Sequence, residues 1–269
     1  MSATLKSFAG LHEAYAFFQA HSTEASVCKT ALLQALKPEV ASRSTPFTLA
    51  DYGCGEGNFS SQLLQELNAS PDLLSLVLIE PDLHYRNAAV KTLSPFTRNP
   101  IRAEETLIPA KTDNPSPDLL IANHVFYYVP NLIETVTRIL DSVKTEGLVL
   151  LTLANSRNAL LQGWEHYFAS FSETCPFHTS EKLAACLQQL PAEFSKTTFE
   201  SELSFPDSRA NRTLILKFMM GEHLLKLPQL EEALNWFDRF KKQNSSQTFI
   251  TMPLSDDLYQ IRSRHEIRY

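Results

Sequence analysis

The chain has 269 residues, 43% hydrophobic and 20% charged, enough for one full core and a small second lobe. Its formal net charge of -6 withholds the global electrostatic support that nucleic-acid binding needs, and no apolar run approaches the roughly 20 residues of a membrane span. The 4 cysteines (Cys28, Cys54, Cys175 and Cys186) form no CxxC pair and no secretory signal is visible, so reduced thiols in a cytoplasmic protein are expected. Cys175-Pro176-Phe177-His178 has a loosely metal-like spacing without a second half, and no metal site is expected there.

Residues 5–20 read as a helix with an aromatic face of Phe8, Leu11, Tyr15 and Phe18. A break at His21-Ser22-Thr23-Glu24 follows, where Ser22 or Thr23 can cap a second helix that runs to about Leu36 and ends before Pro38. Strands and helices then alternate. A strand ends near Asp51, and its helix covers about 57–68. The second strand is Leu74–Glu80, and Pro81-Asp82 opens a helix to about Leu93. A short third strand lies near Ile101–Glu105, and the fourth is Asp118–Ala122. A helix from about Pro130 to Val143 leads to a fifth strand, Leu148–Leu153. The second and fifth strands are nearly continuous apolar runs, which suits parallel strands covered on both faces.

Beyond residue 155 the pattern changes. Helices are expected at about 156–171 and 179–190, and a strand pair at Thr197–Phe205 and Thr248–Ile261. Two helical patterns, about 211–225 and 228–242, lie between those strands and read as a small inserted cap. Asp256-Asp257 could supply charge to a site, but reads more simply as a solvated turn. The expected organisation is N-terminal helices over an acceptor pocket (1–45), an α/β core (46–205), the inserted helical cap (206–245) and a last strand returning to the core sheet (246–269).

Chemistry concentrates at Asp51-Tyr52-Gly53-Cys54-Gly55-Glu56-Gly57, which holds three of the chain's 7 glycines between a strand and a helix. Such a turn lets a ligand approach the backbone and presents a helix N-terminus to it. A dinucleotide site wants G-x-G-x-x-G, but the third glycine's position is Asn58 here. Asp51 would oppose a pyrophosphate and attract an ammonium group. Glu80, ending the second strand, can accept hydrogen bonds from both hydroxyls of a ribose.

The pattern D-x-G-x-G-x-G, with an acid ending the second strand, resembles the class I S-adenosylmethionine-dependent methyltransferases. The resemblance implies a Rossmann-like seven-stranded sheet with its last strand antiparallel, and S-adenosyl-L-methionine lying across the strand C-termini. It implies that Gly53 and Gly55 admit the methionyl part, that Asp51 lies near its amino group, and that Glu80 takes the ribose. Tyr85 would cover the adenosine, Glu105 or Thr106 would sit by the adenine, and Asn123 would lie where cofactor and acceptor meet. Gly57 reads as a helix-packing residue.

A closer resemblance involves His21-Ser22-Thr23-Glu24, the run His124-Val125-Phe126-Tyr127-Tyr128-Val129, and Trp164-Glu165-His166-Tyr167. In order and approximate spacing these look like the histamine N-methyltransferase family, over about residues 8 to 245. The resemblance implies that Glu24 contacts an amine acceptor, with His124 at its site; aromatic residues such as Tyr128 and Trp164 could add cation–π attraction there or simply be core. The chain departs from that family in carrying His124 where the family has a glutamine, and in lacking a clear match to a family asparagine around Thr251–Asp257. The expected reaction is in-line methyl transfer to a small amine or imidazole-type acceptor, with His124 taking the proton or orienting the acceptor. Methyl transfer to oxygen, carbon or a protein side chain stays open, as does a non-catalytic S-adenosylmethionine-binding protein. A small-molecule acceptor and a monomer or weak dimer are expected.

Overall fold

A computed structural model describes residues 10–106, 116–173, 175–227, 229–244 and 246–263. The N-terminal part is two helices, α1 (His12–His21) and α2 (Glu24–Ala41). Residues 5–9 of the expected first helix lie outside the described residues. Strands and helices then alternate through β1 (Phe47–Tyr52), α3 (Asn58–Leu67), β2 (Leu74–Ile79), α4 (Leu83–Leu93), β3 (Arg102–Glu104) and β4 (Leu119–Asn123). Next come α5 (Leu132–Ser142), β5 (Leu148–Ala154), α6 (Ala159–Ser170), α7 (Ser180–Leu187) and the long strand β6 (Ala192–Pro206). The described chain closes with α8 (Arg209–Met220), α9 (Leu230–Asn235), β7 (Lys241–Gln243) and β8 (Thr248–Ser263).

The strands form one sheet in the order β3-β2-β1-β4-β5-β8-β6, with β7 paired to β8 off that path. β1 pairs in parallel with β2 and β4, β2 with β3, and β4 with β5, where Asn123 lies opposite Thr152. Every residue of β5 is buried, as its apolar run requires of a central parallel strand. α5 buries Leu132, Val136, Ile139 and Leu140, a three-and-four spacing that gives the helix one apolar face. Each fully buried Leu or Ile side chain contributes ~1.5–3 kcal/mol, so burial outweighs local propensity in fixing these elements.

The chain divides into two compact units. One comprises Met1–Val27, Ala154–Phe177 and Thr198–Asp256; the other comprises Cys28–Leu153, His178–Thr197 and Asp257–Tyr269. The second unit contains the parallel strands β1–β4 and nearly all of β5. The first is built on aromatic packing: the Trp164 ring lies 4.4 Å from that of Phe177, and the Tyr167 hydroxyl donates to the Ala233 carbonyl at 2.9 Å. A Cβ on Gly163 would come within 2.2 Å of Met219 Cε, so α6 packs there at glycine distance.

Three local expectations are corrected. α2 does not stop before Pro38 but continues through it to Ala41. Proline removes one amide donor there, yet the helix already buries Leu32, Leu33, Ala35 and Leu36. Its last turn is tied down by an ion pair of Glu39 with Arg262. The segment expected as a helix over 228–242 is shorter: α9 gives way to a 3-10 turn at Trp236–Phe240 and then to β7.

Asp256-Asp257 is no solvated turn. Both residues lie inside β8, at 0% and 1% exposure. Asp256 Oδ1 accepts from Asn158 Nδ2 at 3.2 Å in the first unit. Asp257 Oδ2 accepts from Ser180 Oγ at 2.5 Å and from Lys196 Nζ at 3.0 Å in the second. Buried carboxylates need such donors, and these come from residues remote in sequence.

Candidate functional site

The turn between β1 and α3 has its three glycines at positive φ: 76° at Gly53, 52° at Gly55 and 79° at Gly57. They are glycine for different reasons. A Cβ on Gly53 would lie 2.4 Å from Val125 Cγ2, so this position holds the turn against the segment after β4. A Cβ on Gly57 would press on Ala89 and Leu93 of α4, at 3.2 Å from each. At Gly55 a Cβ would meet nothing within 4 Å, so here the backbone borders open space.

Asp51 is 6% exposed, and among the described residues its carboxylate has one hydrogen-bond partner, the hydroxyl of Ser60. Burial pushes its pKa up to about 6; the Ser60 bond opposes that rise and the charge of Glu80 adds to it. A carboxylate buried this way is costly to ionise, which is what its raised pKa expresses.

Glu80, just beyond β2, braces the turn from the other side. Gly55 N–H donates to its Oε2 at 3.1 Å, and Asp82 N–H to its Oε1 at 3.0 Å. Burial raises its pKa, against the lowering effect of those two amides. Each oxygen keeps a second lone pair for further donors. Asp82 caps α4 by accepting from the amides of His84 and Tyr85, which fixes where half-buried Tyr85 begins. Arg86 donates to the Glu80 carbonyl at 2.6 Å and lies 3.6 Å from Glu105, so one guanidinium links the ends of β2 and β3. The Glu105 side chain is 83% exposed, whereas Thr106 is half-buried. Burial, helped by Asp51 and Glu80, pushes the pKa of the Cys54 thiol, within the turn, above the usual thiol range and so disfavours its thiolate.

At the end of β4, Thr152 of β5 donates its hydroxyl proton to Asn123 Oδ1, which also receives the Cys28 thiol at 2.9 Å. His124 follows with φ 56°, a left-handed backbone that costs a non-glycine residue of order 1 kcal/mol and recurs at functional sites. Its amide donates to both the carbonyl and the hydroxyl oxygen of Thr152, each at 3.2 Å. The His124 ring pairs with the Tyr127 hydroxyl at 2.9 Å. Tyr128 falls in the 3-10 turn Phe126–Tyr128 that follows. The second unit therefore brings Asp51, Gly53, Gly55 and Glu80 into one turn, while Asn123 and His124 share one hydrogen-bond network.

Glu24 and Trp164 belong to the first unit. Glu24 opens α2, and its amide donates to Ser22 Oγ at 3.0 Å, the capping chemistry read from the sequence. The segment does more than cap. Thr23 N–H donates to the Glu202 carbonyl at 2.9 Å, Glu202 N–H returns a bond to Thr23 Oγ1 at 2.9 Å, and Ser22 bridges to Leu203. The helix start is thus pinned to β6. Burial pushes the Glu24 carboxyl up to about 7. Trp164 is 6% exposed, and its indole N–H donates to the Met219 carbonyl at 2.7 Å.

Sequence reasoning missed Ser60, Cys28, Arg86 and Thr152. Thr152 had a signal, being the one polar residue within the apolar run Leu148–Leu153. The others sit at spacings that only the fold makes meaningful.

A family model described as a methyltransferase domain matches residues 21–191. The chain belongs to that family: it is an S-adenosylmethionine-dependent methyltransferase of the class I fold. A search of curated protein sequences gave no match. Among solved structures, the fold is similar to the YcgJ protein from Bacillus subtilis, with TM-score 0.60, 12% identity, and 87% of this chain and 98% of that one covered. It is also similar to the plantazolicin methyltransferase BpumL, solved with a triazolic desmethylPZN analog and SAH. There the TM-score is 0.54 and the identity 15%, with 94% of this chain and 90% of that one covered. Among the described residues no helix is long and apolar enough to cross a membrane.

Proposed function

We propose that the chain N-methylates a small amine or imidazole-type acceptor, with the methyl donor held by the glycine turn. The observation that carries the donor site is Asp51, a buried carboxylate raised to about 6 by desolvation, beside a glycine that borders open space. A cationic amino group there would relieve the desolvated charge, and Gly55 would let the ligand reach the backbone. Glu80 has lone pairs left for ribose hydroxyls, with Tyr85, and Glu105 or Thr106, bordering the adenine side. S-adenosylmethionine supplies an electrophilic methyl group on a sulfonium, so the protein's work is alignment, desolvation and proton removal. BpumL, a methyltransferase solved with SAH, supports a site for this cofactor type on this fold.

The nitrogen acceptor is supported by His124. Its imidazole is oriented by Tyr127, and its strained backbone is held by two bonds to Thr152. An ammonium must lose a proton before its nitrogen can attack, and a fixed imidazole can accept it. Glu24, its carboxyl raised by burial, offers the charge that a cationic acceptor would pair with. Trp164 is kept as an aromatic candidate for the acceptor, acting through its ring because its indole N–H is already engaged; the Tyr128 side chain lies outside the described residues. The test is label transfer from S-adenosylmethionine to amines, imidazoles, phenols and carboxylates. Turnover confined to amines and imidazoles is expected; selective methylation of a carboxylic acid would reject the nitrogen assignment.

A further inference from the structure

The network at the end of β4 fixes more than the position of Asn123. A hydroxyl has one proton to give. Thr152 Oγ1, in a fully buried residue, already accepts the His124 amide, and among the described residues its proton has one hydrogen-bond acceptor, Asn123 Oδ1. The Cys28 thiol points at the same oxygen, at 2.9 Å. Reversing the amide would turn its NH2 toward the Thr152 oxygen and the Cys28 thiol, taking from the buried hydroxyl proton its acceptor, which is costly. The carbonyl end of the Asn123 side chain is therefore turned inward and the NH2 end outward. Asn123 is half-buried, and among the described residues Nδ2 makes no hydrogen bond.

We infer that Asn123 is a fixed hydrogen-bond donor, its amide orientation set by the positioning residue Thr152, serving a carboxylate or carbonyl oxygen of a bound molecule. Two N–H groups held outward at a strand end suit an oxygen with lone pairs and reject another donor in the same place. The inference rests on the reading that places methyl transfer at this end of the sheet. The oxygen could belong to the carboxylate of the methyl donor or to the acceptor.

Three variants separate these sources. Asn123→Asp keeps the shape but turns an oxygen outward, Thr152→Val removes the orienting hydroxyl, and Thr152→Ser retains it. Each is assayed by calorimetry with S-adenosylhomocysteine, and by steady-state kinetics on paired amines with and without a carboxylate or carbonyl oxygen. If the methyl donor is served, Asn123→Asp weakens S-adenosylhomocysteine binding about ten- to a hundredfold, the range of a charge-assisted bond. Thr152→Val then weakens it at least about threefold, and Thr152→Ser binds as the wild type does. If the acceptor is served, S-adenosylhomocysteine binding holds, and KM rises by those factors only for the oxygen-bearing amines. Wild-type affinity in Asn123→Asp and Thr152→Val, with KM for both amine sets moving equally or not at all, would overturn the inference while leaving the donor site intact. A wild-type protein that does not bind S-adenosylhomocysteine would overturn the functional reading and the inference together.

Discussion

Replacing Asp51 by asparagine tests the buried carboxylate at the centre of the donor site. The wild-type carboxyl moves from an ordinary 3.8 to about 6, mainly through desolvation. At about 1.4 kcal/mol per unit, the ionised form costs the folded, ligand-free protein on the order of 3 kcal/mol. The sign follows from proton binding. Between pH 4 and 6 the native state holds a proton that the unfolded chain has released, so stability falls as pH rises through that window. The amide introduced by Asp51→Asn would keep the Ser60 bond without the charge, so the ligand-free variant should melt several degrees above the wild type at pH 7. Binding should respond oppositely. A charge-assisted bond to an ammonium is worth about 1.5–3 kcal/mol, so the variant should bind S-adenosylhomocysteine about ten- to a hundredfold more weakly. Wild-type affinity should also fall about tenfold from pH 7 to pH 5, because the carboxyl must lose its proton to receive the cation, while the variant's affinity stays nearly flat. Calorimetry across pH 5–8 reads both. A flat wild-type profile, or equal affinity in the variant, would refute the reasoning.

Gly55→Ala should lose S-adenosylhomocysteine affinity at least about tenfold, with a melting loss near 1 kcal/mol from its positive φ alone. Gly53→Ala should destabilise far more, because its Cβ would lie 2.4 Å from a Val125 methyl; denaturant unfolding of the pair separates ligand space from packing. Glu24→Gln should raise the acceptor KM about tenfold and spare S-adenosylhomocysteine binding, and an unchanged KM would reduce Glu24 to a helix-start residue. Arg212→Met should cost about 1–3 kcal/mol in urea unfolding, because part-buried Asp207 loses a two-bond guanidinium partner while exposed Asp238 keeps Lys241.

The sequence was readable where chemistry is local. Strand-to-helix alternation, the glycine turn and Glu80 follow from period and residue type, because adjacent residues decide them. The same holds for the capping of α2 by Ser22. It was misleading where distant groups decide. Asp256-Asp257 looks solvated until Asn158, Ser180 and Lys196 arrive as donors. Pro38 looks like a stop until the buried leucines of α2 outweigh one missing amide. Trp164 reads from sequence as either core or an aromatic face for the acceptor, and its N–H bond to Met219 comes into view only because α6 and α8 pack together. At the candidate site, Asp51 was visible in sequence, whereas Ser60 became informative only once α3 set it beside Asp51, and Thr152, a lone polar residue in an apolar run, only once strand register set it opposite Asn123.

The most direct measurement is a crystal structure with S-adenosylhomocysteine. Its ammonium should lie against Asp51, its ribose hydroxyls on Glu80 and its chain over Gly55. A ligand seated elsewhere, with Asp51 still paired only to Ser60, would contradict this arrangement.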